Sequence, residues 1–112
     1  MKLKKYGQTW ELTPVFSNYY YGGRLSLSLF EQDRSLFDVV TVNIEDEPIT
    51  NENCSFIDTN NSGDTIITWL EENGFGEATG KFAVSGFCTY PEFEFKPEVI
   101  QKYKVEEIDI DL

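Results

Sequence analysis

Hydrophobic and polar residues alternate with a period of two over several stretches of this chain, and one principal stretch carries a helical period. Trp10, Leu12, Pro14 and Phe16 alternate with polar neighbours as a half-buried strand does, and Pro14 marks an edge or a bulge. Tyr19–Gly23 ends in paired glycines, which enter positive φ without penalty, so a turn is expected there. The clearest strand runs from Arg24 to Glu31, with Leu25, Leu27 and Leu29 on one face and Ser26 and Ser28 on the other. Alternation resumes over Leu36–Ile44, with Val40, Val42 and Ile44 together, which predicts a hairpin closed by Glu31–Ser35.

Glu45–Pro48 breaks that strand and Asn51–Asn53 continues the loop, leaving Phe56-Ile57 as a short buried strand. The spacing then predicts a helix over about 64–73, with Ser62 or Asp64 as its cap, Ile66, Ile67, Trp69 and Leu70 as its apolar face and Asn73-Gly74 as its stop. Gly74–Gly80 reads as a glycine-punctuated connection, followed by strands at Lys81–Val84 and Phe87–Phe95. In the second of these Phe87, Thr89, Pro91, Phe93 and Phe95 line one face against Cys88, Tyr90, Glu92 and Glu94. Pro97 fits the first turn of a short C-terminal helix carrying Val99, Ile100 and Tyr103. The expected fold class is α+β: an antiparallel sheet of about 4–6 strands packed on one principal helix. One domain is expected over residues 1–104, with an acidic tail at 105–112.

Composition supports a folded chain. Nine Phe, six Tyr and two Trp supply large apolar bodies, so the net charge of −11 does not imply disorder. The distribution of that charge matters more than its size. Ser35–Gly80 contains ten Asp and Glu and no Lys or Arg, where ordinary usage places about five or six bases. Such a chain is repelled by nucleic acid and by anionic membranes, and its natural partners are cations or basic proteins. The basic start Met1–Trp10 holds no apolar run of signal-peptide length, and no segment reaches the length of a membrane span. The expectation is therefore a cytoplasmic protein in which Cys54 and Cys88 are reduced thiols.

Histidine is absent, so Ser-His and Cys-His catalytic pairs cannot be assembled, and two cysteines fall short of a structural zinc site. No glycine-rich phosphate cradle occurs, and no cofactor is expected. A carboxylate-based hydrolase rests on nothing beyond the number of acids, so a non-enzymatic role is expected. Asp58, Asn60 and Ser62, followed by Gly63, begin as a calcium loop begins, but Trp69 stands where a bidentate glutamate closes the shell. The simpler expectation is an Asx-rich turn that caps the helix. Tyr20, Tyr21 and Tyr90 are candidate aromatic anchors, although too few bases surround them for a nucleic-acid stacking groove.

Asp58-Thr-Asn-Asn61, Leu70-Glu-Glu-Asn-Gly-Phe-Gly76 and Ser85-Gly-Phe-Cys-Thr-Tyr-Pro-Glu-Phe-Glu-Phe95 together resemble an uncharacterised family of small acidic proteins from Gram-positive bacteria and their plasmids, phages and conjugative elements. The resemblance covers roughly residues 20–95. It implies no activity, but it does imply a mobile-element context, where small acidic proteins often occupy the nucleic-acid site of a defence or DNA-handling enzyme.

Two functional expectations stand side by side. In the first, Asp38, Glu45, Asp46, Glu47, Glu52, Glu71, Glu72 and Glu77 form an acidic face that binds a basic, nucleic-acid-handling protein as a nucleic-acid mimic, without contacting nucleic acid or membrane itself. In the second, the acidity only keeps a small interaction domain soluble. Acids gathered on one face favour the first, and even scatter favours the second.

Overall fold

The computed structural model describes residues 1–105. Nine strands and three short helices follow in the order β1 (Lys2–Lys5), β2 (Gln8–Glu11), β3 (Thr13–Asn18), β4 (Leu25–Phe30), β5 (Leu36–Val39), β6 (Thr41–Val42), β7 (Cys54–Ile57), α1 (Thr59–Ser62), α2 (Thr65–Glu72), β8 (Gly76–Ser85), β9 (Cys88–Phe95) and α3 (Pro97–Lys102). The class is α+β with antiparallel pairing. The strands do not form one sheet, however, but a β1-β2 hairpin, a β3-β4-β5 sheet and a β6-β7-β9-β8 sheet. A single principal helix backing one sheet is not found either: the helix predicted over 64–73 is α2 (Thr65–Glu72), only eight residues long, and Gly63 (φ +86) separates it from the one-turn α1 before it.

Residue chemistry explains the pairing. Leu25, Leu27 and Leu29 are buried on β4, and opposite them Phe16 and Pro14 of β3 fall in register with Leu27 and Leu29. The Phe16 N–H points off this sheet to the carbonyl of Tyr103 (2.9 Å), so the imide nitrogen of Pro14, two residues earlier, points the same way and costs no ladder bond. The continuous strand predicted over Leu36–Ile44 breaks at Val40, whose N–H turns to Leu27 (2.8 Å), while Thr41 accepts from the Leu27 amide (3.1 Å). That break carries the chain from one sheet to the other.

Between the sheets lies an aromatic core. Phe75 sits 6.2 Å from Phe16, 6.1 Å from Trp69 and 6.0 Å from Tyr103 between ring centroids, and Phe16 meets Phe95 edge-on at 5.1 Å. Leu70 and Ile66 of α2 close one side. The predicted connection Gly74–Gly80 is instead largely strand, because Gly76 can lie against β9 where no other residue fits: a Cβ there would stand 1.9 Å from the Glu94 carbonyl oxygen. A bulge between Ala78 and Phe82 then hides the strand period from the sequence.

Cys54 is buried on β7 beside Glu94 of β9, and Cys88 begins β9 six residues earlier. Along a strand that separation is about 20 Å, far beyond the reach of a bridge. Both are free thiols, and burial pushes the Cys54 thiol up. Among the described residues no helix is long and apolar enough to cross a membrane. Glu106 to Leu112, most of the predicted acidic tail, lie outside the described residues.

A candidate acidic interface

The loop between β6 and β7 carries Glu45, Asp46, Glu47 and Glu52, and it is pinned across β9 by hydrogen bonds rather than by ion pairs. Thr50 donates to Glu92 through its amide (2.8 Å) and its hydroxyl (2.6 Å), while Asn51 donates to Glu94 (3.0 Å). Arg24 donates to the Ile44 carbonyl (2.8 Å) and Lys81 to the Pro48 carbonyl. The two bases that border the loop thus serve its backbone and leave its carboxylates without counter-ions. Among the described residues only two ion pairs occur, Met1–Glu11 and Lys5–Asp38, and neither involves this loop.

Glu92 and Glu94 bring further charge to the same region. On β9 they point to one side, and Glu77 of β8 lies directly opposite Glu94 in the register. Like charges so opposed destabilise a sheet by a few tenths of a kcal/mol or more, a cost set against the single Asn51 hydrogen bond to Glu94. Glu92 itself is fully buried. Burial works hardest against its charge, but the Thr50 and Thr79 hydrogen bonds, the latter 2.7 Å, and the nearby Lys81 outweigh it and hold the carboxyl below its ordinary range.

The eight acids predicted as one face divide. Glu45, Asp46, Glu47 and Glu52 share the loop, Glu77 faces Glu94 beside it, and Glu71 reaches the β8 amide of Ala78 (3.4 Å). Asp38 and Glu72 sit elsewhere: Asp38 lies 3.9 Å from Lys5 and accepts from Ser62 (2.7 Å), and Glu72 borders the β1 lysines Lys2 and Lys4. Glu92 and Glu94 were missed as members of the site, although the alternation Glu92-Phe93-Glu94-Phe95 signals two carboxylates on one side of a strand.

Of the aromatic candidates, Tyr20 and Tyr21 are exposed and pack edge-on at 5.0 Å, whereas Tyr90 is half-buried on β9 and does not join them in a ring pair. The Asp58 carboxylate accepts from the Asn61 amide (3.3 Å) and side chain (2.7 Å), and so caps α1. Asp64, the predicted cap, makes no side-chain cap bond, and Ser62 is buried with its hydroxyl on Asp38. The calcium-like triplet therefore does not converge: Asp58 serves its own helix turn, Ser62 turns away and Asn60 is exposed. Among the described residues no group of three or more metal-binding side chains occurs.

A family model, described as a domain of unknown function (DUF4313), matches residues 14–111. The chain belongs to this family. The match extends beyond residues 20–95, where the sequence resemblance lies, and takes in the whole acidic region of this DUF4313 protein. No curated protein and no solved structure matches the chain.

Proposed function

We propose that this DUF4313 protein is a non-enzymatic binding protein whose acidic surface, centred on the β6–β7 loop and the adjoining ends of β8 and β9, occupies a basic surface of a nucleic-acid-handling protein. The observation that carries this reading is the treatment of the bases. Arg24 and Lys81 bond backbone carbonyls rather than carboxylates, so Glu45, Asp46, Glu47 and Glu52 make no ion pair among the described residues, while Lys96 borders the neighbouring Glu77 and Glu94. Carboxylates on a strand and its flanking loop can be spaced by about 6.6–6.8 Å, a row of anions of the kind a basic groove accepts. In this reading the protein acts in a mobile-element context, against a host defence or DNA-handling enzyme, and works inside the cell. The solubility reading draws its support from Asp38 and Glu72, which stand apart from this group.

Affinity capture from nuclease-treated bacterial lysate tests the proposal. The captured protein is expected to be basic and to be displaced by duplex DNA. Capture that duplex DNA leaves untouched would refute mimicry.

A further inference from the structure

The β8–β9 hairpin continues past the rest of its sheet as an arm. β7 pairs with β9 only as far as Glu92, and the next residue, Pro91, has no N–H to offer it. Beyond that point Phe82–Pro91 contains no charged residue, in a chain where 26% of residues are charged. Gly86 (φ +63) and Phe87 form the two-residue turn, with glycine first as a type II′ turn requires. Three large apolar side chains stand in solvent there: Phe82 is 58% exposed, Val84 63% and Phe87 109%.

The backbone of this arm is open as well. Ser85 and Cys88 close the turn as a hydrogen-bonded pair, so the ladder alternates and the N–H and C=O of Val84 and Phe82 point away from β9. The Phe82–Pro91 pair agrees, since proline could not have supplied a ladder bond. β8 is the last strand of its sheet. Proteins ordinarily blunt such an edge with a lysine, a proline or a bulge. Here the bulge lies before Phe82 and Lys81 is turned inward to Pro48, so the stretch from Phe82 to Ser85 carries none of these guards.

We propose that this edge is where an extended, basic segment of the partner protein adds a strand to β8. The inference rests on the reading of the protein as a binder of basic proteins and names the form that the partner takes. Charge decides the occupant. A strand laid along Phe82–Ser85 meets the apolar side chains of Phe82 and Val84, and past the bulge its end nears the carboxylates of Glu77 and of Glu71, which bonds the Ala78 amide; this suits apolar residues alternating with Lys or Arg. A second copy would satisfy the edge but would bring another net charge of −11 to it.

Two-dimensional amide NMR with a blocked (Lys-Val)5 peptide as the probe tests this. The peptide is expected to slow exchange of the Phe82 and Val84 amides at least tenfold. An alternately N-methylated (Lys-Val)5 and a (Glu-Val)5 peptide are expected to have no such effect. Val84→Pro removes one outward N–H without removing a ladder bond and should abolish the protection; Phe82→Ser should weaken it. Binding of both the plain and the N-methylated lysine peptides at the β6–β7 loop alone would overturn strand addition while leaving the acidic-binder reading intact. No effect of any peptide at β8 would overturn it too. Concentration-dependent dimerisation lost in Val84→Pro would assign the edge to a second copy and overturn the basic partner.

Discussion

Glu92 is the residue on which most of the site turns, because it ties the β6–β7 loop and the β8 bulge to β9 through Thr50 and Thr79. Its folded carboxyl is held below the ordinary value, so it contributes stability at pH values above the unfolded pKa, and that contribution is lost as pH falls through the folded one. Thr79→Val removes one hydroxyl from a buried carboxylate and is expected to cost about 1–3 kcal/mol at neutral pH. Urea unfolding at several pH values checks both statements: the advantage of wild type over the variant should be full well above the unfolded glutamate pKa of about 4.3 and should shrink as pH falls below it. Two further residues separate closely. Asp58→Ala should destabilise by about 0.5–2 kcal/mol through loss of the α1 cap, while Asp64→Ala should change stability little. The sequence placed a cap in this turn but not on Asp58, because the apolar pattern begins at Ile66 and carries no sign of the separate α1 turn before Gly63.

At the scale of elements, what the sequence made readable follows from local periodicity. Leu25, Leu27 and Leu29 identify β4, and Phe93 and Phe95 identify the core face of β9, because burial on one face imposes alternation. Alternation fails where both faces are covered or the chain bulges. Glu92 is buried opposite Phe93 by the loop that crosses it, and β8 reads as a glycine-rich connection because residues between Ala78 and Phe82 leave the register. β1 escapes the sequence reading because Lys2, Lys4 and Lys5 mask a strand with only Leu3 buried, and the single strand expected over Trp10, Leu12, Pro14 and Phe16 divides at Leu12 into β2, which pairs with β1, and β3. Gly76 has a nonlocal reason of its own, the backbone of Glu94. Gly76→Ala is therefore expected to cost about 3 kcal/mol or more, the upper end of overpacking, with a matching drop in the unfolding midpoint.

For the whole molecule, the acidic loop and Glu77 were named from sequence, but Glu94 joins them only through strand register, and Asp38 and Glu72 leave the group only through the placement of the N-terminal lysines. An unneutralised acidic surface should associate with a basic protein quickly at low ionic strength and much more slowly in salt, as the Debye length falls from about 10 Å at 0.1 M to about 3 Å at 1 M. Net charge alone would give the same salt dependence, so position must be tested at constant charge. The direct measurement compares two triple reversals as baits in capture from nuclease-treated lysate, with release by duplex DNA as the readout. Glu45→Lys, Asp46→Lys and Glu47→Lys together should abolish capture of the DNA-displaceable basic protein, while Asp33→Lys, Asp64→Lys and Glu72→Lys together, an equal change in net charge, should leave most of it. Equal losses from the two triples would contradict a shaped acidic interface.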